Sequence, residues 1–230
     1  MRTDEGTVVQ VGAASDMGRV RGRNEDALLV DEDHHVFVVA DGLGGHPAGD
    51  VASRTAVETL DRHLDDLSRG DPADALVSAL RAADDAIRSD AAADQRRAGM
   101  ATTAVVARLT DGGEEAWVAH VGDSRAYLIR DADLRPITRD HTSGGMFGRG
   151  SITQALGTGD GIDPDVTHID LEPGDRLLLC TDGLTDMLPE DAIAKIAATS
   201  DEPQAACERL VDAANERGGV DNITVIVVEV

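Results

Sequence analysis

Aromatic residues are nearly missing from this chain, making up 2% of its 230 residues. That scarcity removes the stacking platforms on which single strands, sugars or planar cofactors are held. Basic residues are short as well, at 21 Lys and Arg against 44 Asp and Glu, which leaves a net charge of -23. A field of that sign repels a phosphate backbone, so nucleic acid is excluded as a partner. The two cysteines, Cys180 inside LLLCTD and Cys207 in a helical pattern, have neither zinc-ligand nor redox-pair spacing and are expected as buried thiols in a reducing cytoplasm. No apolar run approaches the roughly 18 residues that span a bilayer. The start MRTDEGTVVQVG has no apolar stretch behind a basic head. A soluble, cytoplasmic protein with no membrane partner is expected. P-loop, HExxH and GxSxG patterns are lacking, as are repeats and Pro/Ser-rich linkers. The length predicts one domain, residues 1–230.

The apolar residues that are present fall into short β-rich runs: Val8 to Val11, Ala27 to Val30, Val36 to Ala40, Thr103 to Leu109, Ala116 to Val121, Ala126 to Arg130, Arg176 to Thr181 and Ile223 to Val230. Val57, Leu60, Leu64 and Leu67 recur at helical spacing, and so do Leu76, Leu80, Ala83 and Ile87. The second of these helices opens at Asp71-Pro72, a capping residue followed by a proline suited to the first helical position. Further helices fit Pro189 to Ala198 and Pro203 to Arg217, the latter stopped by Gly218-Gly219. Strand runs broken by helix pairs, rather than strict alternation, favour α+β layers.

Three apolar runs end in an aspartate: VFVVADG at Asp41, WVAHVGDS at Asp123 and LLLCTDG at Asp182. A fourth, Asp221, stands just before NITVIVVEV, and Asn24-Glu25-Asp26 precedes ALLV. One Asp-Gly pair is more often a turn than a ligand. As a set, these carboxylates can converge at strand ends, where two of them about 4 Å apart repel by roughly 4 kcal/mol at an effective dielectric near 20. Either protons or cations must compensate, and oxygen-only ligands select hard ions such as magnesium, manganese or calcium. Asp31-Glu32-Asp33 lacks the glycine of a calcium-binding EF-hand loop. Two such ions lower the pKa of a shared water from 15.7 toward about 7 and clamp an in-line displacement at phosphorus. Phosphate esters are the natural substrates, with Arg21 or Arg23 of RGRNED as the cationic partner of the phosphate oxygens. His46, on the glycine-rich turn DGLGGH, could protonate a leaving alkoxide.

Taken in order, SDMGRVRGRNED, VVADGLGGHPAGDVAS, GMATTAVVA, HVGDSRAYLIR, ITRDHT, ITQALG, GDRLLLCTDGLTDML and GGVDNITVIVVEV resemble the metal-dependent protein phosphatase family, protein phosphatase type 2C, in its compact bacterial form. The resemblance implies a four-layer α-β-β-α sandwich of two packed antiparallel sheets flanked by helices. It implies two manganese or magnesium ions, with Asp41 bridging them, the Gly42 carbonyl completing one site, and Asp182 and Asp221 holding the other. Glu25 and Asp26 would order water at the edge, Arg21 would grip the substrate phosphate, and Asp123 would serve a third metal. His46 follows the bacterial spacing of the family's proposed acid. Substrates would be phosphoserine and phosphothreonine in proteins, among them targets of serine/threonine kinases or the kinases themselves, acted on by a monomer without a phosphoenzyme. The chain departs from the pattern at Asp50, at Gln154, and above all between Thr142 and Thr153, where a short glycine-rich connection replaces a longer flap over the site. The rival readings are a pseudophosphatase that binds phosphoproteins without turnover, a metallohydrolase of another substrate class, and a phosphatase of a sigma-factor cascade.

Overall fold

The computed structural model describes residues 9–43, 48–67, 69–110, 112–143, 151–159 and 161–230. Its first sheet runs in the order β1 (Gln10–Asp16), β10 (Ile223–Glu229), β9 (Arg176–Cys180), β6 (Arg125–Arg130) and β7 (Asp133–Pro136). The second runs β2 (Asp26–Asp31), β3 (Val36–Asp41), β4 (Ala104–Leu109), β5 (Glu115–Val121) and β8 (Asp165–Asp170). Neighbouring strands are antiparallel in both sheets.

Period-two alternation explains why the central strands are apolar throughout. On β3, Phe37 and Val39 join Val105, Ala107, Leu177, Leu179, Ile226 and Val228 in the core between the sheets. Val36 and Val38 point the other way, into a core shared with α1 (Gly49–Asp61), α2 (Leu64–Leu67) and α3 (Pro72–Ala93). Leu178, Cys180, Val225 and Val227 likewise meet α5 (Glu190–Thr199) and α6 (Pro203–Glu216). The result is the expected sandwich: helices, sheet, sheet, helices.

The Asp71 side chain accepts from Ala73 N at 3.0 Å and Asp74 N at 3.1 Å, as the Asp-Pro start of α3 predicts. Gly218 and Gly219 take φ of 123° and 48°, which ends α6 where expected. Other boundaries differ from the sequence reading. The helix expected from Val57 starts at Gly49, and Leu64–Leu67 is a separate short turn of helix. The strand expected at Val8 to Val11 spans Gln10–Asp16, and Val8 lies outside the described residues. Among the described residues, β7, β8, α4 (Asp182–Thr185) and a 3-10 turn at Gln95–Arg97 were unexpected. The short connection from Thr142 to Thr153 is described at its base, where Thr142 bridges Ile152 and Ser143 N donates to Ser151 O at 2.9 Å. Residues 144–150 lie outside the described residues.

Candidate metal and phosphate site

Strand ends from both sheets meet at one edge of the sandwich. Asp41 closes β3 directly opposite Asp26, which opens β2. Asp182 begins α4 as the chain leaves β9, and Asp221-Asn222 leads into β10. The sheets are stitched together here by Asp26, whose Oδ2 accepts from Thr224 Oγ1 at 2.7 Å and Thr181 Oγ1 at 3.0 Å, both across the sandwich. Asp41 is fixed through its backbone: its N–H donates to Thr103 Oγ1 at 3.1 Å, and its carbonyl accepts from Thr102 Oγ1 at 2.8 Å and Thr103 N at 2.9 Å. Its backbone is thereby fixed, and its carboxylate meets that of Asp26.

The hairpin-turn explanation for the Asp-Gly pairs fails on geometry. Neither Gly42 nor Gly183 has a positive φ. A Cβ on Gly42 would come within 2.4 Å of Gly49 O and 2.6 Å of Glu25 O, and one on Gly183 within 1.9 Å of Asn222 O. These glycines permit close backbone approach beside each aspartate.

The carboxylates raise one another's proton affinity. Burial first, then the charges of Asp26, Asp182, Asp221 and Asp123, push Asp41 well above the usual carboxylate range. Asp182 is pushed up to about 7, by burial and then by Asp123, Asp186, Asp221 and Asp26. Asp26 rises to about 6, burial outweighing its two threonine hydrogen bonds. Asp123, in the turn between β5 and β6, is raised by burial and next by Asp140. The buried oxygens Asp26 Oδ1 and Asp182 Oδ1 have no hydrogen-bond partner. Orphaned, mutually repelling carboxylate oxygens with no sulfur or nitrogen among them fit a hard divalent cation.

Cationic groups border the cluster. Arg21 Nη2 donates to Asp221 Oδ2 at 2.6 Å, and Asp221 Oδ1 accepts from Asn222 N at 2.8 Å. Arg23, with a side chain 60% exposed, pairs with Glu25 Oε1 at 2.6 Å but lacks the alignment of a hydrogen bond, and reaches Asp50 at 3.4 Å. Asn222, not singled out from the sequence, holds the whole segment: its Oδ1 accepts from Glu25 N at 2.8 Å, and its Nδ2 donates to Met17 O and Arg23 O, each at 2.9 Å. Of the residues expected at the site, Arg21, Glu25, Asp26, Asp41, Gly42, Asp123, Asp182 and Asp221 are brought to this edge, whereas His46 lies outside the described residues. Asp186 was also missed; its four-residue spacing from Asp182 across α4 was the available signal.

A second cluster was not foreseen. His120, His141 and Asp165 each bring one ligand atom within 4.8 Å of the others. Hydrogen bonds already engage His141 at both nitrogens, with Gly122 N donating to Nδ1 at 3.3 Å and Nε2 lying 3.2 Å from Asp165 Oδ2. An acceptor role at Nδ1 places the proton on Nε2, so the ring has no lone pair free for a cation. His141 instead ties the turn beside Asp123 to β8 and, through its carbonyl and Thr153 N at 2.7 Å, to the base of the short connection.

Residues 19–214 match the family model described as Protein phosphatase 2C. The chain is 35% identical over 97% of its length to the serine/threonine protein phosphatase PstP of Mycobacterium tuberculosis, but spans 45% of that longer relative. It is 32% identical to the serine/threonine phosphatase stp of Listeria monocytogenes, over 94% of this chain and 93% of that one. The solved catalytic domain of PstP in complex with two manganese ions superposes with a TM-score of 0.85 at 35% identity, covering 96% of this chain and 97% of that one. A solved structure of PppA from Pseudomonas aeruginosa gives 0.86 at 30% identity, covering 97% and 98%. By sequence and by fold, the chain belongs to the protein phosphatase 2C family.

Proposed function

We propose that residues 1–230 form one catalytic domain, a metal-dependent serine/threonine protein phosphatase that hydrolyses phosphoserine and phosphothreonine monoesters. The observation that carries the proposal is the set of buried, unneutralised carboxylates with orphaned oxygens at Asp26 and Asp182, set beside Arg21. Asp41, the Gly42 carbonyl, Asp182 and Asp221 would hold two manganese or magnesium ions, Asp123 would serve a third, and Glu25 and Asp26 would order water at the edge. Two divalent cations there would supply a water acidic enough to attack phosphorus in line. Arg21 holds the charge of the phosphoryl oxygens by exchanging its carboxylate partner for phosphate. His46 returns a proton to the leaving serine or threonine oxygen.

A covalent cysteine route has no nucleophile: burial pushes the thiols of Cys180 and Cys207 up to about 12, so neither is a thiolate at neutral pH. The partners are phosphorylated proteins, including kinase substrates or the kinases themselves, met by a monomer in the cytoplasm. Consistent with that setting, no helix among the described residues is long and apolar enough to cross a membrane. Manganese-dependent release of phosphate from a phosphothreonine peptide tests the proposal, together with calorimetric titration of manganese. Asp41→Asn should lose both turnover and cation uptake while keeping its fold. Activity that persists in chelator, or that survives this substitution, overturns the reading. His46→Ala should slow esters with poor leaving groups more than those with good ones, and an equal effect on both removes the acid role.

A further inference from the structure

Three large apolar side chains are exposed among the described residues: Met17 at 42%, Val20 at 67% and Val220 at 41%. They are not scattered. Met17 and Val20 belong to the segment that carries Arg21, and Val220 precedes Asp221. The two segments are zipped together: Arg19 N donates to Gly219 O at 2.7 Å, and Asn222 Nδ2 holds both Met17 O and Arg23 O at 2.9 Å. Gly18, at φ 79°, lies so close that a Cβ there would fall within 2.2 Å of Asp221 O. Met17 and Val20 thus precede Arg21, and Val220 precedes Asp221, on two hydrogen-bonded segments joined by the Arg21–Asp221 pair. None of them joins the three cores. Leaving apolar area in water is unfavourable, and exposed apolar side chains beside a charged site offer a contact surface.

We infer that this surface receives the apolar side chains next to the phosphorylated residue of the substrate, so that the protein favours phosphosites with apolar neighbours. The inference rests on the phosphatase reading above and adds to it the class of sequence accepted. An extended peptide advances about 3.3 Å per residue, so with its phosphate at Arg21 the adjacent side chains pass over the residues beside that arginine.

The test compares two phosphothreonine peptides that differ only in carrying Leu or Ser on both sides of the phosphoresidue, with manganese and the full chain. An aryl phosphate serves as the reference substrate. The wild type should favour the Leu peptide in kcat/KM by roughly five- to tenfold, the scale of a partly buried aliphatic contact. In Val20→Ser/Val220→Ser that ratio should fall toward one, whatever the absolute rates. Equal kcat/KM for the two peptides in the wild type, with the aryl phosphate still hydrolysed, overturns this inference alone, as does a ratio unchanged in the variant. Failure to hydrolyse any of the three substrates removes the phosphatase reading, and the inference falls with it.

Discussion

Two aspartates bracket β9 and live under opposite conditions. Asp175, just before the strand, is 2% exposed and saturated: Arg130 donates to it twice, at 2.8 Å and 2.6 Å, and Glu172 N donates at 2.7 Å. The next residue, Arg176, is met by Glu229 at 2.6 Å and Ser200 O at 2.8 Å. Asp182, at the far end, faces like charges and leaves a buried oxygen unpartnered. One strand thus carries a structural carboxylate whose counter-charge is built in and another that faces like charges. Folding tolerates the second because the remaining core is large and apolar, and a cation held there, as proposed, would return the cost.

Substitution at the two ends should separate these roles. Asp182→Asn should lower manganese affinity and phosphopeptide hydrolysis by more than about a hundredfold. The metal-free protein should melt no lower, since the change removes a repelled charge; a large fall in metal-free Tm would show that Asp182 is structural. Asp175→Ala should do the reverse, lowering Tm by about 5–10 °C because Arg130 loses its bidentate partner. Its cation affinity and kcat/KM per folded molecule should be kept, and loss of either would mean that the two ends of β9 are coupled.

Acidity separates the ends without mutation. Asp41, Asp26 and Asp182 have folded pKa values raised above the ordinary 3.8, the last two to about 6 and about 7. The folded state therefore holds more protons than the unfolded chain between about pH 4 and 7, and stability falls as pH rises through that window. Chelator-treated protein should melt higher near pH 5 than near pH 7.5, saturating manganese should cancel the slope, and Asp182→Asn should flatten it. Asp16 and Asp31, whose pKa values are lowered, act in the opposite sense but below pH 4, whereas His120, lowered by burial, opposes the slope within the window. A metal-free pH slope that Asp182→Asn leaves unchanged would show that Asp182 is compensated within the fold.

Much of this contrast is legible in the sequence. The runs ending at Asp41 and Asp182 are apolar on both faces because they lie between a helix layer and a second sheet, so they read as strands from composition alone. What periodicity leaves open is which runs pair: β1 joins β10 across almost the entire chain, and no local pattern records that. β7 and β8 escaped notice because they are edge strands with mixed burial, DLRP and DVTHID, and lack an apolar signal. Asn222, Thr181 and Thr224 were invisible for a different reason. Their value lies in hydrogen bonds to residues 43 to 205 positions away, and a lone Asn or Thr carries no mark of such a partner.

Arg23 offers the finest test of the idea that this edge is short of positive charge. Its side chain is 60% exposed and its pairing with Glu25 is an ion contact without hydrogen-bond alignment, so the pair contributes at most about 1 kcal/mol to stability. Arg23→Ala should barely move Tm. It should also make the carboxylate edge more negative, which raises manganese affinity about two- to threefold at low ionic strength and by less in high salt, where screening removes the difference. Titrations at two salt concentrations check both expectations. A fall in affinity would instead mean that Arg23 holds Glu25 in the orientation the site needs, and that at least one of the uncompensated carboxylates is positioned by an arginine after all.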